Sequence, residues 1–98
     1  MNIENAIKLL NNEQKLKGHS KRTVASYSHA VRLLLQHISG KVPLSPKALR
    51  DHFLHLLNEH KFSASTVNLH QDAIGFFCSE VVKRPEFMAG IKHIPTPR

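Results

Sequence analysis

The sequence predicts an all-α fold, a compact four-helix bundle with an irregular C-terminal tail. Apolar residues recur at spacings of three and four in four separate segments, and no stretch alternates apolar and polar residues as a half-buried strand would. Gly, Ser or Pro punctuates the chain between those segments. With 98 residues there is room for one core only. A domain of this size buries about two-thirds of its unfolded surface, enough to fold without a metal or disulfide staple.

The first segment, about residues 3–16, repeats apolar side chains at Ile3, Ala6, Ile7, Leu9 and Leu10 and is stopped by Gly18. The second opens at Ser20, a helix-capping residue, and carries Val24, Tyr27, Val31, Leu34 and Ile38 as one stripe that ends at Ser39 and Gly40. In the third, Ser45 caps and Pro46 occupies the first helical position, where its missing N–H is no loss. It runs to about residue 60, with Leu49, Phe53, Leu56 and Leu57 on one side. The fourth begins at Ser63 or Ser65 and continues to about Lys83, before Pro85. Residues 1–84 therefore read as the helical domain, and residues 85–98, with three prolines, as a lead-out.

Charge narrows the function. Fourteen Lys and Arg against seven Asp and Glu give a net charge of +7. The excess is concentrated: Lys15, Lys17, Lys21, Arg22, Arg32, Lys41, Lys47 and Arg50 lie in a stretch without one carboxylate. Such a field attracts polyanions, nucleic acid first and an anionic membrane surface second. The plain alternative is a solvated face that happens to be basic. No run reaches the ~20 apolar residues of a membrane span, and the N-terminus lacks a signal peptide's basic start and apolar stretch. A soluble cytoplasmic protein with no membrane partner is expected.

Cys78, alone and among apolar neighbours, reads as a buried small hydrophobe. The eight histidines include His52 and His55 three apart on one helix face, followed by His60, but no zinc motif supplies a further ligand. No metal or other cofactor is expected. If several histidines titrate near pH 6.5, mild acid should strengthen polyanion binding.

Two helix starts stand out. On a helical wheel of the fourth segment, Val67, His70, Ala73, Ile74, Phe77 and Val81 share the apolar arc, whereas Ser65, Asn68, Asp72, Gly75 and Ser79 lie opposite, with Gln71 on the border. Asn and Gln offer a donor and an acceptor together, which matches the N6/N7 edge of adenine. Gly75 would let a sugar-phosphate chain approach closely. In the second segment Lys21, Arg22 and Thr23 follow the capping Ser20. Cations beside the positive end of a helix dipole cost stability, but with free N–H groups and a hydroxyl they suit a phosphate.

"SKRTVASYSHAVRLLLQH" resembles the Ser-x-x-Thr-x-x-x-Tyr signature of the second helix in tyrosine recombinases, the phage-integrase family. "SASTVNLHQDAIGFF" is similar to that family's fourth-helix run, and "LSPKALRDHFLHLL" to the phrase between them. The matching positions are Ser20, Thr23, Tyr27, Leu44, Ser45, Phe53, Leu54, Ser63, Thr66, Val67, Asn68, Ala73, Ile74 and Phe77, spread over residues 3–84. The Ser-Ala-Ser-Thr wording leans towards the integron-integrase or Xer-like branch.

The resemblance implies a SAM-like, core-binding domain that clamps duplex DNA at a recombination site during DNA integration and recombination. It implies backbone contacts from Ser20, Lys21, Arg22 and Thr23, groove contacts from Ser65, Asn68 and Gln71, and other recombinase protomers as partners of a full-length protein, the isolated domain being monomeric. Residues 85–98 then resemble the start of a linker to a catalytic domain. Leu69 and Gly75 stand where the family often has cations, and Gln71 where it often has Leu. No catalytic residues are expected here. Tyr27, the only tyrosine, lies on the apolar stripe of its helix and reads as core packing with a bonded hydroxyl, not as a nucleophile. The competing function is a basic helical module that meets an acidic protein and has no DNA role.

Overall fold

A computed structural model describes residues 2–38 and 44–95. Four α-helices follow in chain order: α1 (Ile3–Leu16), α2 (Lys21–Ile38), α3 (Pro46–Asn58) and α4 (Ala64–Phe77). A π-helical turn, Cys78–Val82, extends α4, and a 3₁₀ turn, Pro85–Met88, follows. There is no strand among the described residues, and the all-α SAM-like bundle stands. The expected stop at Ser39 and Gly40, and the cation Lys41, lie outside the described residues.

Local chemistry sets each helix end. Asn2 caps α1 by accepting from the Asn5 N–H at 2.9 Å. At the other end Gly18, at φ +77°, lets the Gly18 N–H reach Lys15 O and the His19 N–H reach Gln14 O, a Schellman pair. Ser45 accepts from the Ala48 N–H at 3.1 Å with Pro46 at the first position of α3. That helix ends at Asn58, two residues short of the sequence expectation, within ordinary fraying of a helix end. Two lysines take left-handed backbone: Lys61 at φ 58°, where the Phe62 N–H reaches Leu56 O, and Lys83 at φ 65°, where the Arg84 N–H reaches Cys78 O at 2.8 Å.

The apolar stripes meet as their periodicity requires. Leu10 of α1, Val31 and Leu34 of α2, Leu49 and Leu56 of α3, and Val67, Ile74 and Phe77 of α4 are all at most 1% exposed. Cys78 is fully buried with them, and burial pushes its thiol up to about 11, so it is an inert hydrophobe. Truncating any one of the buried leucines to Ala costs about 2–5 kcal/mol. Helix α2, about 27 Å long at 1.5 Å per residue, lies against both α1 and α4.

The tail departs from expectation. It does not lead away from the bundle. Phe87, Met88, Ile91 and Ile94 pack against the core, so the chain doubles back over α3 and α4. These four residues fall at helical spacings, but Gly90 interrupts the run and no regular helix extends beyond Met88 among the described residues.

Candidate nucleic-acid interface

The α2 start is capped and open. Ser20 Oγ accepts from the Thr23 N–H at 3.2 Å and donates to Thr23 Oγ1 at 3.1 Å. The Val24 N–H closes the first intrahelical bond to Ser20 O at 2.9 Å. Ser20, Lys21 and Arg22 are exposed and Thr23 is half-buried. Gln14, fully buried at the end of α1, donates from Nε2 to Thr23 O at 3.3 Å and fixes the turn from behind.

Not all of the basic stretch is unpaired. Arg32 forms a two-point ion pair with Glu4, at 2.7 and 3.5 Å, and Lys17 lies 3.7 Å from Glu80. The Glu4 carboxyl is held below its ordinary range by the hydrogen bond and charge of Arg32. These partners are distant in the chain, so a linear charge count misses them. Among the described residues Lys21 and Arg22 make no ion pair. Lys15, His19 and Lys21 line one shallow depression between α1 and α2. Sequence reading counted Lys15 in the field but did not place it at the α2 start; the Schellman turn at Gly18 brings it there.

The α4 start lies alongside. Ser63 Oγ accepts from the Thr66 N–H at 3.2 Å and pairs with Thr66 Oγ1 at 3.0 Å, the same cap as on α2. Arg22, Thr23, Ser26 and Tyr27 share a second depression with Leu69 of α4. Leu69 is 42% exposed, an apolar spot inside the basic rim. Ser65 is exposed on the first turn of α4. Through Leu69, α4 thus borders the α2 start.

The other α4 residues sit differently from the wheel's expectation. Gln71 is only 5% exposed, and it lines a pocket with Phe53, Leu57, Ile91 and Ile94. The wheel placed it at a border; the returning tail closes over that border. Asn68 accepts from the Ile94 N–H at 2.7 Å and donates to Ile94 O at 2.9 Å. Asp72 pairs with His93 at 2.6 Å. Gly75 faces Met88, whose Cε lies 3.8 Å from where a Cβ would stand, so the room beside it holds a side chain of the tail.

Tyr27 is half-buried, its ring edge-on to His19 and tilted against Phe76. Its hydroxyl has no hydrogen-bond partner among the described residues, unlike the bonded hydroxyl expected. Burial, then the Asp72 charge, raises its pKa. A separate group of histidines gathers around the last turn of α2. His37 stacks on His55 at 4.2 Å and shares a hydrogen bond with His52, Nδ1 to Nδ1, at 2.9 Å. Burial, reinforced by His37 and the other nearby imidazoles, lowers His52 to about 3, and burial lowers His70 too, with His29 and His60 adding to it. His52 thus stays neutral in mild acid and adds nothing to polyanion attraction there. Among the described residues no group of His, Cys, Asp or Glu is arranged to hold a metal ion. No helix among them is long and apolar enough to cross a membrane.

A family model for the phage integrase N-terminal SAM-like domain matches residues 7–86. The chain belongs to that family. The matched span takes in nearly the whole of the four helices and both capped starts of this integrase SAM-like domain, and stops in the 3₁₀ turn. That family is the N-terminal SAM-like domain of integrases, not their catalytic domain. Residues 87–95, which fold back over α4, lie beyond the match. No curated protein and no solved structure matches the chain.

Proposed function

We propose that this integrase SAM-like domain is the DNA-binding module of a site-specific tyrosine recombinase, one that grips duplex DNA at the recombination site through the start of α2. Lys21 and Arg22 contact phosphates as cations, while the hydroxyls of Ser20 and Thr23 and the free N–H groups of the first turn complete the cradle. Ser65 and Asn68 are the groove contacts. Gln71, buried, supports the helix from within rather than reading a base. The cutting and rejoining chemistry belongs to a separate catalytic domain, to which the residues after α4 connect, and neighbouring protomers complete the assembly in the cytoplasm.

One observation carries this reading. Two cations stand at the positive end of a helix dipole, exposed and without an ion pair among the described residues, where carboxylates would be the stabilising choice. A phosphate resolves that conflict.

Titration of a labelled duplex against salt tests it. Binding by several phosphate contacts gives a linear fall of log K with log salt, with a slope of about −0.9 per contact. Charge reversal at Lys21 and Arg22 should flatten that slope by about two contacts. A flat salt response, together with tight binding to an acidic protein, would favour the interaction-module reading instead.

A further inference from the structure

The tail is not adjacent to the proposed DNA surface by mere proximity. It uses the same functional groups that a base would need. An asparagine amide presents one acceptor and one donor side by side, and that pair fits the N6/N7 edge of adenine. In this chain the pair is taken by a peptide unit: Asn68 Oδ1 accepts from the Ile94 N–H at 2.7 Å, and Nδ2 donates to Ile94 O at 2.9 Å. One amide edge cannot serve both partners.

The neighbouring contacts have the same sense. Asp72 is the carboxylate on this face of α4, and it would repel a phosphate backbone. His93 sits on it at 2.6 Å. Ile91 and Ile94 line one pocket with Phe53, Leu54 and Leu57, and Arg50 and Lys92 line it too. The segment is bounded by Gly90, at φ +81° with open space around it, and by Pro95. It has no helical or strand bonding of its own, so what holds it is the α4 face. A rotation at Gly90 would lift it without disturbing a helix.

We infer that residues 91–94 form a strap that occupies the α4 face and competes in cis with duplex DNA for Asn68, so that binding through α4 requires the strap to be lifted. This rests on the DNA-binding reading above. The α2 start, whose lining residues include none from the tail, stays accessible throughout. First contact therefore falls to Lys21 and Arg22, and engagement of α4 follows. Apparent affinity is reduced by the fraction of molecules in which the strap is down.

The test uses the 98-residue chain and a fluorescent duplex carrying an A-rich segment, at one fixed salt concentration. Ile94→Pro removes the N–H from which Asn68 accepts and the side chain that packs against the core, and leaves Lys21, Arg22, Asn68 and Asp72 in place. It should bind the duplex about tenfold more tightly. In the unaltered chain, saturating duplex should accelerate hydrogen exchange at the Ile94 amide, while the amides of the buried part of α2 stay protected. Exchange decides the matter alone if the proline variant loses its helical signal. If both chains bind DNA equally and the Ile94 amide remains protected in the complex, the strap is only structural, and the DNA reading stands without it. If neither chain binds any duplex while both are folded, the DNA reading itself fails and the strap has nothing to compete with.

Discussion

The starts of α2 and α4 are built alike and end up differently. Each opens with Ser-x-x-Thr, each serine accepts from the threonine N–H at 3.2 Å, and the paired hydroxyls lie 3.1 and 3.0 Å apart. Beyond the cap itself the likeness stops. The α2 start carries two exposed cations and looks outward; the α4 start carries an amide and a carboxylate that hold the returning tail. A local motif specifies how a helix begins. What that beginning faces is decided by segments that arrive later in the chain.

Acid has the largest expected effect, and it acts at neither helix start: the deeply buried imidazole is His52 of α3, beside His37 in the last turn of α2. His52 titrates at about 3 in the folded chain against 6.5 unfolded, and it faces His37, His55, His60 and His70. The unfolded state binds the extra proton below pH 6.5, so the stabilisation is whole above that pH and falls as pH drops towards 3. On the order of 3 kcal/mol should be gone by pH 4. Thermal melts across that range should show the loss, and His52→Gln should flatten the profile. The bundle thus weakens in acid, which opposes any gain in polyanion binding from the exposed histidines.

Reversing Lys21 and Arg22 to Glu comes next, at about a 50-fold loss of duplex affinity, equivalent to roughly 2 kcal/mol. Stability should move the other way, rising by a few tenths of a kcal/mol, because carboxylates suit the start of a helix. Affinity by anisotropy and melting temperature together would show the two effects parting. If they fell together, the cations would be structural.

The caps themselves should be equal. Ser20→Ala and Ser63→Ala each lose one side-chain acceptor, and each should cost about 1 kcal/mol in chemical denaturation. A marked inequality would mean that the tail props up the α4 start. The smallest effect is expected at Gly75→Ala. Its methyl would meet Met88 at an ordinary 3.8 Å, and a helix gains up to about 1 kcal/mol when Gly becomes Ala. The melting temperature should rise slightly, whereas a fall would mean that Gly75 is needed for a closer approach.

Much of the bundle was legible because helix periodicity and capping act over a few residues. The bounds of α1, the Ser and Pro opening of α3, the burial of Cys78 and the inward side of His70 all follow from spacing alone. The candidate site was legible at α2 for the same reason: Ser20, Lys21, Arg22 and Thr23 are consecutive, and their geometry is that of one turn. At α4 the wheel gave angles without neighbours. Asn68 lies opposite the apolar arc and Gln71 on its border, but a wheel has no means of showing that residue 94, 26 positions beyond Asn68, closes over them. Arg32 and Glu4, 28 apart, escaped a linear charge count in the same way. A signal did exist for the tail: Ile91 and Ile94 are apolar at a spacing of three in a stretch otherwise read as a lead-out.

Lys83 has one more consequence. A right-handed continuation would have carried the next ten residues about 15 Å outward along the α4 axis. Instead its left-handed torsion folds the peptide into a corner, and everything downstream is delivered to the flank of its own helix. The handedness of one residue's backbone thus sets whether α4 is bare or sheathed.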